Sequence, residues 1–138
     1  MIRAIIIQKE GDYLMKSFKG NLEKLTINNS NFRQVIFTAP NSQLVLMSLK
    51  PSEEIGMEVH PDNDQFLRFE AGTGKVIIDD TEYLVESGDA VVIPAGAKHN
   101  VINMDNGFEL KLYTVYSPSH HPDGTVHKTK EEAIAAEE

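Results

Sequence analysis

The chain has 138 residues, 21 Asp and Glu against 13 Lys and Arg, a formal net charge of −8 at pH 7, and no cysteine. A chain of this length buries roughly two-thirds of the surface its unfolded form exposes, which is enough for one compact domain. The acidity has no basic cluster to offset it and works against binding nucleic acid, while the missing cysteines exclude disulfides and thiolate ligands and fit a reducing compartment.

At the N-terminus two readings stay open. The stretch from Lys9 to Leu14 can be encoded by a purine-rich sequence like a bacterial ribosome-binding site, which would make Met15 the natural first residue and 1–14 translated leader. Alternatively, Ile5-Ile6-Ile7 forms a strand, given its high β propensity. The apolar run at 2–7 is too short for a signal-peptide core or a membrane span, so the expectation is a soluble, cytoplasmic protein with no membrane partner.

Further along, β-branched, aromatic and aliphatic residues predict strands at 32–38, 44–49, 55–60, 66–69, 75–78, 82–85, 90–93, 99–104 and 109–116. Turn residues separate them, at Pro40-Asn41-Ser42, Gly72-Thr73-Gly74, Asp79-Asp80, Gly88-Asp89 and Asp105-Asn106-Gly107. Short strands at this spacing predict an antiparallel sandwich or barrel. Thr129 and Glu132 form a capping box for a single terminal helix at 130–136. The organisation expected is an N-terminal extension (1–30), a barrel core (31–117), and a loop with a C-terminal helix (118–138).

Two segments carry chemistry. Downstream, Gly88-Asp89 turns the chain into the strand at 90–93, Pro94-Ala95-Gly96 reverses it, and His99 points back from the next strand. Upstream, Glu58 and His60 lie two apart in an extended segment and share a face, with Met57 and Val59 on the other. After the turn at Pro61, Gln65 opens a strand whose face also carries Leu67 and Phe69, and Arg68 has the opposite parity and faces out. Burying Glu58, His60, Gln65 and His99 in an apolar sheet is costly unless they are paired or coordinated. A cation is the simplest single partner for all four. Asp62 and Asp64 are fallback ligands, read as turn residues because Pro61 ends the strand.

These segments resemble the two motifs of the cupin superfamily. The downstream motif is Gly, five residues, Pro, one, Gly, two, His, three, Asn, and it is matched in full by Gly88, Pro94, Gly96, His99 and Asn103. The upstream motif is Gly, five residues, His, one, His, three or four, Glu, six, Gly. It is matched in spacing but not in identity: Ser52 stands for the first Gly, Glu58 for the first His and Gln65 for Glu, while His60 and Gly72 are kept.

The resemblance implies an all-β fold, the cupin double-stranded β-helix or jelly-roll barrel, and a divalent transition metal held by Glu58, His60, Gln65 and His99. A typical metal cupin supplies three His and one Glu. Here an amide oxygen replaces one imidazole, a harder set that suits Zn, Mn, Fe, Co or Ni rather than Cu(I). The same ligand types occur in metal-dependent phosphomannose isomerases, with Glu and Gln in exchanged places. A cupin that has lost its metal and binds by hydrogen bonds alone is the competing reading.

The segment 111–118 with its tail looks like that of small bacterial and archaeal cupins called isomerase-like. The function expected is a metal-dependent isomerase acting on a sugar or other small polar molecule, as a homodimer. A non-enzymatic small-molecule-binding or structural cupin is the alternative, and a metal-dependent dioxygenase a further one. Glu109, Lys111 and Tyr113 are candidates for a catalytic base without one being singled out. His120, His121 and His127, in a Pro- and Gly-rich stretch, are read as exposed imidazoles of a surface turn in preference to a lid or a second metal site.

Overall fold

The computed structural model describes residues 3–5 and 16–137 of the chain. The question of Met15 as the first residue lies outside the described residues. Ahead of it, β1 (Arg3–Ile5) runs antiparallel to β2 (Ser17–Lys19).

Every strand expected from the apolar pattern is present: β3 (Arg33–Thr38), β4 (Gln43–Leu49), β5 (Glu58–Val59), β6 (Asp64–Ala71), β7 (Thr73–Ile78), β8 (Thr81–Glu86), β9 (Ala90–Ile93), β10 (Lys98–Asn103) and β11 (Leu110–Ser117). The strand expected at 55–60 is cut to two residues. Gly56, at φ 111°, interrupts the ladder, leaving Glu54 in an isolated bridge to Ile102. Three elements were not expected, β2, α1 (Leu22–Asn28) and β12 (Val126–His127). The terminal helix α2 (Lys130–Glu137) is one residue longer than its expected span.

The main strands form two antiparallel sheets. The larger has the order β12-β3-β4-β11-β6-β9 and the smaller the order β5-β10-β7-β8. The core lies between them, built from Val45, Met47 and Leu49 of β4, Leu67 and Phe69 of β6, and Val76, Val85 and Val101 of the smaller sheet. Fully burying a side chain of this size contributes about 1.5–3 kcal/mol. This is the jelly-roll arrangement. The parity of β6 is as expected: Gln65, Leu67 and Phe69 are buried, and Arg68 turns outward to Glu70, 3.4 Å away. At the turn from β6 to β7, Gly72 sits at φ 92°, and a Cβ there would lie 2.6 Å from the Glu109 carbonyl oxygen.

Two helices dress the barrel. Asn21 caps α1, its Oδ1 accepting the Lys24 N–H at 3.0 Å, and the helix packs against β11, β6 and β4. Lys111 Nζ donates to the carbonyl of Asn29, where α1 ends. In α2 the Thr129 hydroxyl accepts the Glu132 N–H at 3.1 Å, as a capping box requires, but the Glu132 carboxylate takes the Lys128 N–H rather than that of Thr129. Ala133 of α2 joins the core. No described helix is long and apolar enough to cross a membrane.

Candidate metal centre

The scaffold of the site is a turn that crosses between sheets. β9 belongs to the larger sheet and pairs Ile93 with Gln65; β10 belongs to the smaller and pairs His99 with Glu58. Between them the Ala97 N–H donates to the Pro94 carbonyl at 3.2 Å, and Gly96 adopts φ 86°, open to glycine at no steric cost. The Gly96 N–H donates to the His60 carbonyl at 3.0 Å, and the Ala95 N–H to Asp64 Oδ1 at 2.9 Å. Asp64 thus serves the turn, and Asp62 is exposed.

The motif positions that hold no candidate ligand have physical reasons too. Ser52 sits at φ 64°, the left-handed region that favours glycine. Asn103 is a buried staple, its Nδ2 donating to the carbonyls of Leu49, Lys50 and Phe108 at 3.2, 3.0 and 2.9 Å while its Oδ1 accepts the Asp105 N–H.

On this scaffold Glu58, His60 and His99 each offer a ligand atom, all within 4.8 Å of one another. His60 Nε2 is 3.7 Å from Glu58 Oε1, and Met57 and Val59 face away into solvent. His99 Nδ1 is 2.9 Å from the Ala97 carbonyl, which can only accept, so this bond assigns the proton to Nδ1 and leaves a lone pair on Nε2. Gln65 Nε2 donates to the Thr114 hydroxyl at 3.1 Å, which orients the amide.

Three polar atoms are then buried without a partner: His60 Nε2 and the acceptors His99 Nε2 and Gln65 Oε1. Such atoms cost about 1–3 kcal/mol each when left unsatisfied. Nitrogen and oxygen donors of this kind, beside a carboxylate, fit a divalent cation. Burial is the main cause that holds His60 down to about 4, with help from His120 and His99, so its ring is neutral and free to ligate. Burial raises the Glu58 carboxyl above its ordinary value, and Arg33 opposes that rise.

The Glu58–His60 edge opens into a cleft of about 420 Å³, whose polar lining is Arg33, Glu58, His60, His120, Lys130 and Glu137. The reading of 117–128 as a surface turn with exposed imidazoles needs correction here. Residues 117–120 are exposed as a whole, yet the His120 ring lies 4.1 Å from that of His60 and 5.2 Å from that of Tyr116. The segment is pinned by Gln43, whose Oε1 accepts the N–H groups of His120 and His121 while its Nε2 donates to the His121 carbonyl. His121 packs edge-on against Tyr116 and is held down to about 3, burial being the main cause. His127 lies in β12.

Glu109, Lys111 and Tyr113 do not line this cleft. Glu109 accepts the Ser48 hydroxyl at 2.6 Å, Lys111 is tied to α1, and Tyr113 lies near Phe66. Arg33 is not singled out from the sequence, and His120 is named there only as part of a surface turn or, less favoured, a lid or second metal site. No spacing rule links positions 33 and 120 to the two motifs, and only the completed sheet brings them together.

A family model described as "Cupin domain" matches residues 45–116. Protein L612 of Acanthamoeba polyphaga mimivirus is 49% identical over 109 residues, covering 77% of this chain and 68% of that protein. YrkC of Bacillus subtilis is 46% identical over 133 residues, covering 92% and 71%. A crystal structure from Bacillus halodurans is 44% identical with a TM-score of 0.83, covering 86% of this chain and 93% of its own.

Proposed function

This chain belongs to the cupin family, and from that premise we propose that Glu58, His60, Gln65 and His99 hold one divalent transition-metal ion and that the protein isomerises a small polar molecule, such as a sugar, in the adjoining cleft. The observation that carries this reading is the pair of buried, unpartnered imidazole Nε2 atoms of His60 and His99 clustered with the Glu58 carboxylate, and the Gln65 Oε1, buried without a partner as well, supports it. Bound there, the ion supplies Lewis-acid chemistry toward a substrate carbonyl or hydroxyl.

The chain's own residues do the rest. His99 and Gln65 are held in one orientation each by Ala97 and Thr114. His120 stands in the cleft against His60 and is the side chain placed to take a proton from a substrate carbon and return it to the neighbouring one. Lys130 supplies a hydrogen-bond donor at the rim.

Elemental analysis of protein purified without tag or chelator, beside a His60→Ala/His99→Ala variant, tests the centre. About one ion per chain in the first and none in the second is expected; no ion in either, with none taken up on addition, refutes it. Turnover of sugars by the Zn- or Mn-loaded protein without oxygen supports the isomerase. Oxygen consumption moves the function to a dioxygenase, and ligand binding without turnover to a binding module. The homodimer belongs to the same proposal, supported by the exposed apolar residues Leu84 (78% exposed) and Phe108 (72%), and sedimentation equilibrium should return two chains.

A further inference from the structure

Arg33 opens β3 on the same inward face as Val35, and only 4% of it is exposed. Its guanidinium carbon lies 5.4 Å from the centroid of the Phe32 ring, one terminal nitrogen is 3.4 Å from His127 Nδ1, and its Nε is buried without a partner. Among the described residues no Asp or Glu forms an ion pair with it. Two carboxylates share its cleft: Glu58, assigned above to the metal, and Glu137 at the end of α2. A buried cation with no carboxylate in direct contact is costly, and a guanidinium matches the paired oxygens of a carboxylate or phosphate better than any other side chain.

We infer that Arg33 is an anion-binding residue and that the cleft takes a small molecule with a carboxylate or phosphate group, its other polar end reaching the Glu58–His60–His99 cluster. The position of that second end rests on the proposed metal centre; the anion contact does not. Arg68, on β6, faces away toward Glu70, does not line the cleft and cannot serve. Lys130 adds a second positive charge on the cleft wall.

The test is calorimetric titration of the full chain with inorganic phosphate and, separately, with malonate, on wild type, Arg33→Lys and Arg33→Gln. Thermal unfolding checks each variant, and metal is counted on the same samples before and after chelation. Saturable binding of either probe is expected, weakened about 10- to 100-fold by Arg33→Gln and less by Arg33→Lys. Preference for phosphate identifies a phosphorylated ligand, and preference for malonate a carboxylic acid. Should Arg33→Gln not fold, folded Arg33→Lys must still bind the preferred probe more weakly than wild type. Binding that survives chelation supports Arg33 even where the metal centre fails. Retained metal with no saturable anion binding, or equal binding by wild type and folded variants, overturns the inference while leaving the metal centre standing.

Discussion

With Nδ1 donating to Ala97, His99 accepts nothing inside the protein and offers one lone pair toward Glu58 and His60. Gln65 is held the same way, its Nε2 donating to the Thr114 hydroxyl, and offers an oxygen that carries no charge. Gln65→Glu should therefore separate metal affinity from metal-free stability. The new carboxylate strengthens metal binding, measured by competition with a chelating dye, and lowers metal-free stability by about 1–3 kcal/mol, because an acidic group is then buried beside Glu58. A pH prediction belongs to this scale as well. His60 and His121 bind protons more weakly folded than unfolded, with values of about 4 and about 3 against the usual 6.5, and His120 is lowered too. In the presence of chelator their contribution is fully present above pH 6.5 and is lost as the pH falls from there toward 4 and 3. Glu58, raised, acts in the opposite direction, one group against three. Urea midpoints of the chelated protein should fall steadily from pH 7 to pH 4; a flat profile would contradict the burial of these rings.

Among the elements, the loop between β10 and β11 is tied to the barrel by Asn103, while Asp105 Oδ1 accepts the N–H groups of Gly107 and Phe108 within it. Asn103→Ala leaves the carbonyls of Leu49, Lys50 and Phe108 without their donor and should cost about 2 kcal/mol or more in urea unfolding. Much of the fold was legible because its punctuation is local. The turn at Pro94-Ala95-Gly96 and the alternation in β6 follow from the φ values and parity of neighbouring residues, so the inward placing of Gln65 and the outward placing of Arg68 could be read directly. The seven residues of α1 are too few to show a helical period, and its anchor, Lys111 on the Asn29 carbonyl, comes from 82 positions away. β12 has two residues and exists because β3 offers it an edge. The placing of His120 against His60 was illegible for the same reason as that of Arg33: Gln43, 77 positions earlier, holds its backbone, and no pattern of nearby residues announces such a bond.

At the scale of the molecule, the proposed centre would draw on both sheets, with Gln65 from the larger and Glu58 and His99 from the smaller. An ion that binds only when the two sheets are closed stabilises the whole fold. Free metal at a hundred times its dissociation constant should add about 2.7 kcal/mol, and chelation should lower the Tm accordingly in scanning calorimetry. A Tm indifferent to chelator would mean that the four side chains are held without it. The bond from the Gly96 N–H to the His60 carbonyl has a broader consequence. It joins the two motifs through main-chain atoms alone, and the pairing of His99 with Glu58 is likewise a matter of backbone register. The socket is thus independent of what is plugged into it. Evolution, or an engineer, can rewrite Glu58 or Gln65 to change which ion the proposed centre would prefer while the architecture that aims them stays as it is.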